Sequence, residues 1–134
     1  MQPDLPDYFI ALMKQHAGLL NDGQARRATL AVSEVLETSL TPTQQRQFFA
    51  MVPNYLRPHK QTFFARIGAG KKAQKRTLAV SRQLSARLQL TSREEAEVIL
   101  KAYFRAIRTV VDPTTAITLT RILPPELVRL YAAG

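Results

Sequence analysis

The sequence predicts an all-α fold: a compact helical bundle of about six main helices, built from two tandem three-helix repeats with pseudo-twofold packing. Three observations predict it. Apolar residues recur at three- and four-residue spacing along most of the 134-residue chain. No period-two segment rich in β-branched residues is present, so no strand is expected. Sliding the sequence by 71 positions lays 25–60 on 96–131 without a gap, and seven of those 36 positions are identical. The identities are Ala25/Ala96, Ala31/Ala102, Thr38/Thr109, Pro42/Pro113, Thr43/Thr114, Pro53/Pro124 and Leu56/Leu127. Between them apolar meets apolar, as in Val32/Tyr103, Leu36/Ile107, Leu40/Val111 and Phe48/Leu119.

Each element follows from local chemistry. Tyr8, Phe9, Leu12, Met13 and His16 recur at helical spacing, and Gly18 is a natural stop because glycine tolerates the left-handed conformation. Asn21 or Asp22 can cap the next helix, whose apolar stripe is Ala25, Ala28, Val32, Val35, Leu36 and Leu40. Thr41-Pro42-Thr43-Gln44 is a capping box with proline at the first helical position. The helix behind it carries Phe48, Phe49, Met51 and Val52 and ends near Pro53. The second copy opens on a helix from about Lys71 with Ala73, Thr77, Val80, Leu84 and Leu88 on one side. Ser92-Arg93-Glu94-Glu95 is a second capping box, ahead of a long helix lined by Ile99, Ala102, Tyr103, Ala106, Ile107 and Val110. Asp112-Pro113 caps the next helix, which holds Ile117, Leu119 and Ile122, and Pro124-Pro125 leads to a last turn with Leu127, Leu130 and Tyr131. The domain plan is one domain over 1–134: repeat one at about 7–57, a linker at 58–70, repeat two at about 71–131. Phe63 and Phe64 in the linker read as a core plug.

The paired pieces resemble the bacterial domain of unknown function 2267 family. Those carrying the likeness are the helix from Arg26 to Leu40 with Met51-Val52-Pro53-Asn54-Tyr55-Leu56-Arg57, and 92–111 with Ile122-Leu123-Pro124-Pro125-Glu126-Leu127-Val128-Arg129. The resemblance implies a duplicated helical fold and supplies no catalytic residue.

Composition narrows the chemistry. Cysteine is absent, which excludes disulfides, thiolate metal sites and thiol nucleophiles. His16 and His59 lie in separate segments without acids at ligand spacing, so no metal site is expected. Glu94, Glu95 and Glu97 fall in the first turns of a helix, where the macrodipole favours negative charge, and read as structural. Gly68-Ala69-Gly70-Lys71-Lys72 fails as a P-loop: no strand leads in, Ala65 stands for the first glycine and Lys72 for the hydroxyl residue. No cofactor and no enzymatic activity are expected. The acidic, proline-containing start does not read as a secretory signal, and no run is apolar enough to span a bilayer. A cytoplasmic protein without membrane insertion is the expectation.

The net charge is +9, and it is unevenly placed. No acidic residue lies between Glu37 and Glu94, an interval that holds 11 of the 19 basic residues. On a helix beginning near Lys71, the residues Lys71, Lys72, Lys75, Arg76, Arg82 and Arg87 share one arc of about 160°. With Lys60 and Arg66 they make the candidate partner-binding set. The expected function is a non-enzymatic interaction module that docks an acidic protein surface on this basic face. The alternative is non-specific binding of DNA or RNA phosphates by the same patch, although no nucleic-acid-binding signature accompanies it.

Overall fold

The computed structural model describes residues 5–57 and 80–133. Among the described residues the molecule is all helical and has no strand. It contains α1 (Asp7–Ala17), α2 (Asp22–Ser39), α3 (Pro42–Met51), a 3-10 turn (Asn54–Leu56), α4 (Val80–Leu88), α5 (Arg93–Val110), α6 (Pro113–Ile122) and α7 (Pro125–Ala133). Among the described residues there are seven α-helices, against the six main ones expected. The final turn is a full helix because Pro125 occupies its first position, where a missing N–H costs nothing, and Leu127, Leu130 and Tyr131 are all buried. Of the helix expected from Lys71, the described part begins at Val80; 58–79, with Phe63 and Phe64, lie outside the described residues.

The termini follow the sequence. The Asn21 side chain accepts from the Gln24 N–H at 2.8 Å, and Asp112 accepts from the Thr115 N–H at 2.7 Å. Thr41 and Gln44 close the reciprocal capping box. The second box is half made. Ser92 accepts from the Glu95 N–H at 3.2 Å, but the Glu95 carboxylate turns to the backbone N–H and hydroxyl of Thr91 instead of to Ser92.

Gly18 ends α1 at φ 67°. Gln89 ends α4 in the same left-handed region, at φ 55°. The N–H of the next residue then reaches back in both places, Leu19 to the Lys14 carbonyl at 3.1 Å and Leu90 to the Ser85 carbonyl at 2.9 Å. A side chain at positive φ is strained, whereas glycine is not. Gly18→Ala should therefore cost about 1 kcal/mol although no atom lies within 4 Å of the added Cβ. Gln89→Gly should stabilise by a few tenths to about 1 kcal/mol. Chemical denaturation checks both, and equal signs for the two substitutions would contradict the backbone argument.

The helices interleave. α1 lies against α5 and α2, while α4 lies against α2 and α5; α3 lies against α6, and α7 closes on α5. The core runs continuously through these contacts. Phe9, Met13, Val32, Leu36, Leu40, Phe48, Leu84, Leu100, Tyr103, Phe104, Ile107, Leu119 and Leu127 are fully buried. A chain of edge-on aromatics threads it: Phe9 meets Tyr55 at 5.6 Å and Tyr103 at 6.3 Å, Tyr103 meets Phe104 at 5.7 Å, and Phe104 meets Tyr131 at 5.6 Å. Three residues assigned to apolar sets face outward instead, Tyr8 at 56% exposure, Met51 at 38% and Ile117 at 60%. On α1 the buried stripe is Phe9, Ile10 and Met13, one step round from the predicted one. Tyr8 instead closes the outside of the aromatic chain, its hydroxyl 3.2 Å from that of Tyr55.

Candidate functional site: a basic corner between two helices

The described part of the basic segment is α4 and the turn behind it. Val80 and Leu84 are buried and Leu88 is half-buried, as the predicted stripe requires. Gln83 ties α4 to α2, accepting from Thr38 at 3.2 Å and donating to Ser39 at 3.4 Å. These contacts turn Arg82 and Arg87 outward, and both are exposed.

The two arginines then differ. Arg87 is 2.8 Å from the Glu34 carboxylate on α2, so its charge is already countered by a neighbour outside the acid-free interval. Pairing across the α2–α4 crossing is a tertiary fact, and nothing at helical spacing from Arg87 announces it. Arg82 makes no ion pair among the described residues. Of the other residues in the predicted set, Lys60, Arg66, Lys71, Lys72, Lys75 and Arg76 lie outside the described residues.

Arg82 borders a hollow of about 520 Å³ between α4 and the start of α5, lined by Ser81, Arg82, Ser85, Leu90, Thr91, Ser92 and Arg93. No carboxylate is among these residues. Arg93 is exposed and, like Arg82, makes no ion pair among the described residues. A smaller hollow of about 240 Å³ shares Ser81 and Arg93 and continues towards α7 past Glu97, Glu126 and Arg129. There Arg129 reaches Glu97 at 3.9 Å. The corner thus grades from a lining without carboxylates near α4, where the nearby Glu95 carboxylate is engaged by Thr91, to mixed charge near α7. Arg93 was not in the predicted set; its place at the end of the acid-free interval was the signal available for it.

Other polar groups serve the fold. Tyr103 is fully buried and its hydroxyl is 2.9 Å from that of Ser33; burial pushes its phenol well above the ordinary value. Glu37, at 7% exposure, lends its backbone carbonyl to the Gln45 side-chain amide. Hydrogen bonds from Thr91 hold the Glu95 carboxyl below its usual range, and the Thr115 N–H does the same for Asp112. Both shifts are those of helix-capping carboxylates. No group of three metal-ligating side chains occurs among the described residues, and no helix there is long and apolar enough to cross a membrane.

His16, near the end of α1, titrates below its ordinary value of 6.5. Desolvation is the larger cause and the positive charge of Arg105 on α5 the smaller. Between the lowered folded value and 6.5 the unfolded chain therefore binds more protons than the folded one. Stability should be full above about pH 7.5 and fall as pH drops through 6.5 towards the folded value. Urea unfolding across that range checks it: Arg105→Gln should shrink the step and His16→Gln should abolish it. A step that survives His16→Gln belongs to another group.

No family model, curated protein or solved structure matches the chain.

Proposed function

We propose that the chain is a non-enzymatic, cytoplasmic binding module whose basic corner docks an acidic surface of a protein partner. One observation carries this reading. Arg82 and Arg93 are both exposed and both line one hollow, and neither is in an ion pair among the described residues. The sequence offers no acidic residue anywhere between Glu37 and Glu94 to counter Arg82 locally. An acidic partner would gain from this complementarity in encounter rate and in orientation.

The scaffold we propose is a duplicated three-helix unit, the plan that the resemblance to the domain of unknown function 2267 family also implies. The bounds of α2 and α5 differ by 71 at both ends, as do those of α3 and α6. Left-handed residues stand at 18 and 89, the same interval apart. Exchanging the two halves turns the α1–α5 contact into α4–α2, and maps the α3–α6 contact onto itself.

The test uses the full chain with three fluorescent probes, a glutamate-rich peptide, duplex DNA and single-stranded RNA, each at two salt concentrations. The peptide should bind, and charge reversal at Lys72, Lys75, Arg76 and Arg82 together should weaken it by roughly tenfold or more. Tighter binding of DNA or RNA, falling steeply with salt, would move the function to nucleic-acid phosphates. Silence from all three probes at low salt would end the proposal.

A further inference from the structure

We infer that the hollow between Arg82 and Arg93 receives a phosphoryl group carried on a serine or threonine side chain of the partner. This rests on the acidic-partner reading of the same corner and specifies which anion is taken.

The molecule supplies its own comparison. Positions 71 residues earlier form the matching corner between α1 and α2. There Lys14 sits 2.7 Å from Asp22, so the corner neutralises itself, and Ile10 and Ala11 stand on the facing helix. In the second corner the positions of Lys14 and Asp22 are taken by Ser85 and Arg93, and those of Ile10 and Ala11 by Ser81 and Arg82. The carboxylate has become a guanidinium, its former partner a hydroxyl, and two apolar residues a hydroxyl and a second guanidinium. Three of these changes remove negative or apolar character and add a donor; the fourth gives up the Lys14 ammonium for a hydroxyl, and the corner as a whole passes from neutral to doubly positive. Ser85 commits its hydroxyl only to a 3.4 Å contact with the Ser92 carbonyl.

The charge and donor count select among anions. A phosphomonoester carries nearly two negative charges and three acceptor oxygens, whereas a carboxylate carries one charge and two oxygens. Two uncountered guanidiniums match the first in charge, and their planar forks suit tetrahedral oxygens. The hydroxyls of Ser81 and Ser85 can meet a remaining oxygen. Glu97 and Glu126 lie on the far side of Ser81 and Arg93, in the smaller hollow, where Arg129 engages Glu97. A diester of a nucleic-acid backbone carries a single charge per phosphate and fits this pair less well.

The experiment is amide chemical-shift mapping of the full chain with four probes: Gly-Gly-phosphoserine-Gly-Gly, the same peptide with glutamate, the same with serine, and inorganic phosphate. The phosphopeptide should move the amides of Ser81, Arg82, Ser85 and Arg93 and leave those of Lys14 and Asp22 in place. It should bind roughly tenfold or more tightly than the glutamate peptide. Arg82→Ala and Arg93→Ala, both at exposed positions, should each weaken it about tenfold with unchanged circular dichroism, and Arg82→Lys should restore only part. Equal affinity for the glutamate peptide would overturn the phosphoryl inference and leave the acidic-partner reading standing. Inorganic phosphate binding as well as the phosphopeptide would also overturn it, as simple anion trapping. Failure of both the phosphopeptide and the glutamate peptide would remove both readings.

Discussion

Tyr103→Ala is expected to cost about 3–5 kcal/mol of folding stability, the largest loss of any single truncation considered. The ring is fully buried at the crossing of α5 with α1 and α2. It contacts Phe9 and Phe104 edge-on, so its removal leaves a cavity that three helices share. Tyr103→Phe isolates the hydroxyl. It strands the buried Ser33 hydroxyl, 2.9 Å away, and should cost about 1–2 kcal/mol. Adding Ser33→Ala to Tyr103→Phe should cost less than the two single losses summed, since the second change removes an already orphaned group. Urea unfolding of the four proteins closes the cycle, and strict additivity would mean the hydroxyls are not coupled.

Leu84→Ala should cost about 2–5 kcal/mol. Leu84 is fully buried on α4, whose described residues, Val80–Leu88, are held by packing on α2 and α5 and by Gln83. Most helical stability in a folded protein comes from packing of the amphipathic face, so the order of this segment rests on its buried side. The loss should therefore be local as well as global. Amide exchange in α4 should accelerate more than in α1, whose packing on α5 is untouched. A loss below about 1 kcal/mol, or exchange that rises equally in both helices, would show that α4 is not held in this way. Because α4 positions Arg82, the same variant should blunt binding at the basic corner.

Much of the architecture was legible because it is local. Asn21, Thr41, Ser92 and Asp112 announce helix starts, since a short polar side chain satisfies backbone donors within its own first turn. Gly18 announces a stop for an equally local reason. Gln89 does the same work with no glycine to advertise it, so only the backbone reveals that stop. Tyr8 and Ile117 show the limit of periodicity. Spacing tells which residues share a helix face, but not how wide a sector the neighbours cover. Among the described residues α6 lies chiefly against α3 and α5, and Ile117 remains exposed. The candidate site divides the same way. The acid-free interval marked the region, yet Arg87 and Arg82, five residues apart on one helix, differ because Glu34 on α2 reaches only the first.

By itself the amino-acid order determined the helical class, most of the helix boundaries and the cationic character of the middle of the chain. Each of these depends on interactions spanning at most a turn or two, or on simple charge counting. Only the folded arrangement decided that Ser33 meets Tyr103, that Glu34 silences Arg87, and that Arg82 and Arg93 share one hollow. These pairings join residues on different helices, and their energies depend on distance and burial, which no spacing along a single helix encodes.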